Sequence, residues 1–344
     1  LRFFVKLIAI LSRGGMHLTG YRRKEQMRII SVVGARPNFM KLAPLDRALA
    51  GHDEFEHTIV HTGQHYDRNM SDSFFDDLGI PEPHYNLGVG SGSHAWQTGA
   101  IMQAFEPVCL EVKPDLVLVV GDVNSTVATA LVAAKLGVRV GHVEAGLRSR
   151  DWSMPEEINR VVTDRLSDLL LTPSPDADEN LRAEGVPAEC IHFVGNIMID
   201  SLVYALPRAE ELNAAAARNL EADNYTVVTL HRPSNVDDPD SLTDLMGALE
   251  QLSRESPVIF PVHPRTRQRL DSIGWTAAEA ADLRLIEPVG YVEMLSLVRS
   301  AGMVITDSGG LQEETSFLGV PCITVRPNTE RPITCTEGTN QLIT

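Results

Sequence analysis

A chain in which short, nearly unbroken β-branched runs recur, each separated from the next by a helix-length stretch, has few folds open to it. "RIISVVG" (28–34), "HTIVHTG" (57–63), "DLVLVVGD" (115–122), "RVGHVEAG" (139–146), "DLLLTPS" (168–174) and "IHFVGN" (191–196) each end in Gly or a polar residue. Strands that are apolar on both faces belong in a sheet covered by helices on both sides. Between them lie helical stretches such as "STVATALVAAKLG", which closes on Gly137, and "EEINRVVTDRLS". This alternation predicts a parallel, doubly wound α/β sheet.

A second series follows: "YTVVTLHRP", "PVIFPVHPR", "LRLIEPV", "GMVITDSGG" and "PCITVRPN", again alternating with helical stretches. The Ala-rich, acidic segment "MIDSLVYALPRAEELNAAAARNLEADN" between the two series carries no strand signal and marks a domain boundary. The expected organisation is two Rossmann-like halves, 27–200 and 201–344. Folded sequence is expected from Met27 onward, with residues 1–26 a disordered extension. The opening "LRFFVKLIAIL" has too short an apolar core, and no convincing cleavage site, for a signal peptide.

Composition narrows the partners. A formal net charge of −16 and a pI near 5.1 argue against a general polyanion binder and so against nucleic acid. A small anion stays possible, because a local pocket can be basic on an acidic protein. Cys109, Cys190, Cys322 and Cys335 form no CxxC pair and no zinc spacing, and four unpatterned thiols suit a reducing cytoplasm. No apolar run reaches the roughly 18 residues of a membrane span. The histidines lack ligand spacing, so neither a metal nor another cofactor is called for.

In such sheets ligands sit beyond the carboxyl ends of the strands. Here those ends carry Arg36 and Lys41, Gln64 and His65, Asp122, His142 and Glu144, His231 and Arg232, His263 and Arg265, and Asp307 and Ser308. So full a set across two halves predicts a cleft between them. In "TDSGGLQEE" (306–314), Ser308, Gly309 and Gly310 follow an apolar run and open a helix, so bare amide N–H groups and the helix dipole can face a phosphate. The other reading is a Ser N-cap with glycines serving only the turn. The loop is not GxGxxG and no Walker lysine follows, which disfavours nicotinamide or ATP chemistry. Glu313 and Glu314 suit a ribose diol or simply favour the helix start. In "GHVEAGLRSRDWSMPEEINR" (141–160), Glu144 ends a strand and the twin acids Glu156 and Glu157 follow closely. On the residues alone, Glu144 paired structurally with Arg148 or Arg160 is the stronger reading.

Taken together, "GARPNFMKLAPL", "TGQHYDRNM", "VVGDVNSTVATALVA", "VGHVEAGLRS", "PEEINR", "VGNIMIDSL", "TLHRP", "PVHPR", "LIEPVGYVEML", "TDSGGLQEE" and "TERPITCTEGTN" resemble the non-hydrolysing UDP-N-acetylglucosamine 2-epimerase family, in family order from about residue 28 to the end. The resemblance implies two Rossmann-like domains of the glycosyltransferase B type, UDP-GlcNAc bound in the cleft between them, and a homodimer. By match to the family's motifs, Asp122, Glu144 and Glu156 resemble its catalytic carboxylates and His231 its catalytic histidine. Arg36 and Lys41 resemble basic residues near the nucleotide and sugar. Ser308, Gly309 and Gly310 resemble its diphosphate loop and Glu314 its ribose-binding acid. Arg232 and His263 are cleft contacts, although a lone strand-end imidazole such as His263 is more often structural. Gln64 and His65 match a site where some members bind a second substrate molecule as activator, but Tyr66 and Asp67 depart from that pattern. Ser234 replaces a frequent Glu, and Met294 stands where an aromatic often packs on the uracil. At "GTNQLIT" the family continues into a terminal helix, which predicts a C-terminally truncated chain.

The implied chemistry is reversible epimerisation of UDP-GlcNAc to UDP-ManNAc, supplying cell-surface polysaccharide synthesis. A C2 proton that is not α to a carbonyl cannot be enolised directly. Departure of UDP from C1 acidifies it, a base then yields 2-acetamidoglucal, and re-addition completes the inversion. Variants act on a modified UDP-2-acetamido sugar or hydrolyse UDP. From other classes, a glycosyltransferase on the same scaffold would need an acceptor groove and fewer acids around C2, and a silent nucleotide-sugar sensor would bind without turnover.

Overall fold

The computed structural model describes residues 2–12, 26–63, 79, 81–276 and 282–344. The chain divides into two compact units, Leu1–Ser201 and Leu202–Thr344, with the division inside the helix Ile197–Leu212.

The first unit is built on strands β1 (Met27–Val33), β2 (Phe55–His61), β3 (Tyr85–Asn86), β4 (Leu116–Val120), β5 (Arg139–Val143), β6 (Leu169–Thr172) and β7 (Ile191–Phe193). They lie in the order β3-β2-β1-β4-β5-β6-β7, with every pair parallel. All side chains of β4 and β6 are buried, which is why their sequences are unbroken apolar runs. Chain direction across the sheet reverses at β1, where β2 and β4 flank it on either side. That is the switch point at which loops diverge and leave room for a ligand.

The second unit repeats the plan with β8 (Thr226–Thr229), β9 (Val258–Pro261), β10 (Leu283–Ile286), β11 (Met303–Thr306), β12 (Cys322–Val325) and β13 (Asn340–Ile343), in the parallel order β10-β9-β8-β11-β12-β13. Its switch point lies between β8 and β11.

Each predicted run contains a strand, but two strands had no counterpart in the expectation. The two-residue β3 and the tail strand β13 both lie at sheet edges, and β13 has three of its four residues exposed. The Ala-rich boundary segment is not one helix: after Leu212 it passes into a short 3-10 turn, Ala216–Arg218, stopped by Asn219 at φ 54°.

The opening segment corrects a further expectation. Residues Arg2–Ser12 are not a disordered extension but a helix. Leu7 and Leu11, one turn apart, are buried in a cluster with Met27, Ile29, Leu45 and Leu49, and Lys6 donates to the Phe193 carbonyl at 2.8 Å. An i, i+4 apolar pair gives the helix a stripe to dock.

Candidate functional site

At the switch point of the first unit, β1 runs through Gly34 and Ala35 into the helix Arg36–Ala50. The Asn38 side chain accepts from the Ala35 amide at 3.1 Å and donates to the Val120 carbonyl at 3.0 Å, so the helix start is tied to the end of β4. Arg36 is the first residue of this helix, and its side chain lies outside the described residues. Lys41, one turn further on, is buried and forms an ion pair with Glu144.

Glu144 follows β5 with φ 73°, a left-handed conformation that a residue with a Cβ rarely adopts. Its amide and that of Ala145 both donate to the Leu171 carbonyl, at 3.0 and 3.1 Å. Such over-determined backbone strain concentrates where a side chain must be aimed. Gly121, φ 67°, ends β4 beside it: a Cβ there would stand 3.3 Å from Lys41 Nζ, 3.4 Å from Asn38 Nδ2 and 3.5 Å from Glu144 Oε2. The structure therefore brings Lys41, Glu144 and the turn carrying Asp122 together.

The pairing corrects the reading of Glu144 as a partner of Arg148 or Arg160. Arg148 instead bridges Asp164 (2.7 Å) and Glu184, which it grips through Nε and Nη2, both at 2.7 Å. Arg160 contacts Asp122 and Glu157, each at 2.5 Å. Lys41 wins because the switch point juxtaposes segments far apart in the chain.

The twin acids diverge. Glu157 is buried and accepts from the Ser149 amide (2.9 Å), the Ser149 hydroxyl (3.0 Å) and the Arg150 amide (2.8 Å). Burial alone would raise its pKa, but these amides and the Arg160 guanidinium outweigh it and hold the carboxyl below its ordinary value. Glu156, half-buried in the first turn of the helix Pro155–Leu166, makes no hydrogen bond or ion pair among the described residues.

His142 is fully buried. Its Nδ1 lies 2.6 Å from Asp164 Oδ1 and its Nε2 2.8 Å from the Gly121 carbonyl, so it braces the Gly121–Asp122 turn from behind. Burial acts to raise the Asp164 pKa, and His142 and Arg148 together reverse this.

In the second unit Asp307, fully buried after β11, organises the switch point. Its Oδ2 accepts from the amides of His231 (2.9 Å) and Arg232 (2.8 Å) and from the Asn235 side chain (3.1 Å). His231 Nδ1 lies 2.9 Å from Oδ1, at ion-pairing distance although not aligned for a linear hydrogen bond. Burial works to raise the Asp307 pKa, but His231 and the amides hold it below the ordinary value. His231 remains 43% exposed, with its ring centroid 5.8 Å from that of His263. His263 caps the helix Pro264–Ser272, its Nδ1 accepting from the Arg265 amide at 3.2 Å. Arg232 Nε donates to the Asp307 carbonyl at 3.0 Å.

Ser308 is the N-cap of the helix Gly309–Leu318, yet its side chain does not cap it. The first-turn amides, including those of Gly309 and Gly310, have no intrahelical acceptor, as at any helix start. Ser308 thus stands at the N-cap position without making the side-chain cap bond that the alternative reading expected. A Cβ on Gly309 would meet Glu330 Oε1 at 2.8 Å and Arg331 Nη1 at 2.9 Å. Arg331 thus stands beside the loop, braced by Glu330 (2.5 Å) and Glu313 (3.0 Å). Glu314 is buried, and burial, reinforced by Glu313 and opposed by Tyr291, pushes its pKa up to about 8. Met294 packs against the core of this unit.

Gln64 and His65 lie outside the described residues. Sequence reasoning missed Asn38, Asp164 and Arg331 as site builders and gave Arg160 to Glu144 instead of Asp122 and Glu157. Asn38 at the third position of a helix opened by Pro, and Arg331 inside "TERP", were the available signals. Among the described residues no group of three or more His, Cys, Asp or Glu side chains is arranged to hold a metal ion, and no helix is long and apolar enough to cross a membrane.

Comparison with known proteins decides the family. The family model described as UDP-N-acetylglucosamine 2-epimerase matches residues 47–344. The chain belongs to the UDP-N-acetylglucosamine 2-epimerase family. A UDP-N-acetylglucosamine 2-epimerase homolog of Methanococcus maripaludis is 47% identical over 321 residues, covering 92% of this chain and 88% of its own length. The UDP-2,3-diacetamido-2,3-dideoxy-D-glucuronate 2-epimerase of Pseudomonas aeruginosa is 43% identical over 320 residues, with coverages of 92% and 88%. The crystal structure of Methanocaldococcus jannaschii UDP-GlcNAc 2-epimerase in complex with UDP-GlcNAc and UDP superposes with a TM-score of 0.84 at 44% identity, covering 92% of this chain and 89% of that one. The likeness bears out the expected fold class, two parallel-sheet α/β domains of the glycosyltransferase B type, and assigns the chain to a family of epimerases.

Proposed function

We propose that this member of the epimerase family interconverts UDP-N-acetylglucosamine and UDP-N-acetylmannosamine by elimination and re-addition of UDP. The observation that carries the proposal is the convergence of Lys41, Glu144 and the Asp122 turn around Gly121 at the first switch point. A C2–H bond needs a base on one face and an acid on the other, and carboxylates held at a strand end supply both.

In this reading one nucleotide sugar uses both sets of groups. The C1–O bond breaks with its electron pair leaving on UDP, and a carboxylate takes the C2 proton as the C1–C2 double bond of 2-acetamidoglucal forms. Proton delivery to the opposite face of C2 and return of the diphosphate oxygen to C1 restore the glycosidic bond in the epimer. No oxidant or reductant is consumed. The amides of Gly309 and Gly310 and the hydroxyl of Ser308, with Arg331 beside them, suit the departing diphosphate, because developing negative charge is best met by donors already in place; the Ser308 amide itself donates to the Thr306 hydroxyl at 2.9 Å. His231, held by Asp307 and still open to solvent, suits proton assistance at the same diphosphate. Asp122, Glu144 and Glu156 share the proton chemistry at C2; Arg36, Arg232, His263 and Glu314 contribute to substrate binding.

A second reading concerns the sugar. The Pseudomonas aeruginosa relative is described as acting on a diacetamido-glucuronate, and Ser234 stands exposed beside His231 and Arg232. An NMR time course in D2O with UDP-GlcNAc, and in parallel with UDP-2,3-diacetamido-2,3-dideoxy-glucuronate, separates the readings. Deuterium at C2 of the product supports the elimination route, an unlabelled epimer rejects it, and accumulation of free UDP marks a hydrolysing variant.

A further inference from the structure

The helix Pro155–Leu166 carries more of the site than its twin acids. Arg160, buried on its inner face, places Nη2 2.5 Å from Asp122 Oδ2 and Nη1 2.5 Å from Glu157 Oε2. Its neighbour Asn159 donates to the Asp122 carbonyl at 2.9 Å, so one helical turn holds Asp122 by side chain and main chain together. Glu157 is itself immobilised by the Ser149 amide and hydroxyl and by the Arg150 amide. Arg160 is therefore fixed from behind by a buried carboxylate that is itself held by the 149–150 loop, and it presents the other arm of its fork to a carboxylate that is one-third exposed. A lysine, with a single mobile charge, would not reproduce a two-armed bridge.

We infer that Arg160 is a positioning residue for Asp122, with Glu157 as its anchor. The inference rests on the epimerase reading above. It also separates the twin acids: Glu157 is committed to Arg160 and the 149–150 loop, which leaves Glu156 to face substrate. Arg160 does not act on the sugar; it sets the direction from which the Asp122 carboxylate meets it. A misplacement of about 1 Å costs on the order of 100-fold in rate, and that is the loss expected of Arg160→Gln.

The test is a double-mutant cycle on the full chain, reading kcat and KM for UDP-GlcNAc and C2 deuterium incorporation. Arg160→Gln is expected to lower kcat about 100-fold with a much smaller change in KM. Added to Asp122→Asn, it is expected to change kcat by no more than about twofold, because its partner is already disabled. Additive losses, or a loss lying in KM alone, overturn the inference. Should Arg160→Gln fail to fold, Arg160→Lys is read in the same cycle. Should Asp122→Asn turn over too slowly to measure, guanidinium chloride at sub-denaturing concentration is titrated into Arg160→Ala: recovered turnover supports the role, and none overturns it. A wild-type protein that leaves C2 of both UDP-sugars unexchanged refutes the epimerase reading itself, whereas an active wild type with an additive cycle refutes only the role of Arg160.

Discussion

Replacing Lys41 with Met tests the heart of the first half-site. Its ammonium and the Glu144 carboxylate are both nearly inaccessible, with side-chain exposures of 9% and 5%. Removing one member of such a pair takes a buried counter-charge from the other, at a cost of about 3–5 kcal/mol. With a urea slope of about 3 kcal/mol/M, that lowers the unfolding midpoint of the first unit by more than about 1 M. Glu144→Gln leaves the ammonium stranded and should cost a comparable amount. The double variant replaces the ion pair with neutral groups of similar length and should recover more than about 1 kcal/mol relative to the sum of the single losses. Urea unfolding of the four proteins, followed by circular dichroism, reads all three quantities. Turnover should be lost in the double variant too, since recovered stability does not restore a base. A Lys41→Met cost below about 1 kcal/mol, or strictly additive losses, would show that Lys41 is not the charge that holds Glu144, and the argument for a pre-aimed Glu144 would fall with it.

Three further outcomes follow from the geometry. Glu314, with a folded pKa near 8 against an ordinary value of 4.5, holds its proton in the folded state at pH values where the unfolded chain has lost it, so stability should decline as pH rises from about 5 to about 8. Glu314→Gln should flatten that decline, and a denaturation series across this range checks it. Gly309→Ala should weaken UDP binding at least tenfold by calorimetry, because the new methyl falls within 3 Å of Arg331 and Glu330 beside the loop; unchanged affinity would remove the loop from the diphosphate site. His142→Phe should cost about 1–3 kcal/mol in stability, through the Gly121 carbonyl and the Asp164 Oδ1 that lose the imidazole, and should lower kcat more than it raises KM.

How much of this could be read in the chain depends on distance. Strands buried on both faces announce themselves as apolar runs, so β1, β4, β6 and their counterparts were visible. The edge strands β3 and β13 were not, because an edge tolerates Asn, Gln and solvent on one side and keeps no periodic signature. The N-terminal helix escaped for another reason: an apolar run too short for a leader reads as a disordered extension, and only the contacts of Leu7 and Leu11 with β1 and the following helix reveal a docked element.

The site shows the same limit more sharply. Which residue types gather at strand ends was legible, since a parallel sheet delivers them there whatever the loops do. Which of them pair was not. Glu144 had arginines four and sixteen positions away in the chain, yet its partner is Lys41, more than a hundred residues earlier. Those arginines are engaged by Asp164, Glu184, Asp122 and Glu157. The switch point explains the outcome. It brings the starts of two helices and the ends of β1, β4 and β5 to one place, so contact there follows strand order rather than spacing along the chain. A carboxylate in such a place is satisfied by whichever cation the topology delivers, and the leftover arginines brace the acids that stand behind it. Glu156 and Glu157, adjacent in sequence, part company on this ground: helical geometry turns one inward to Arg160 and the 149–150 amides and leaves the other unengaged among the described residues.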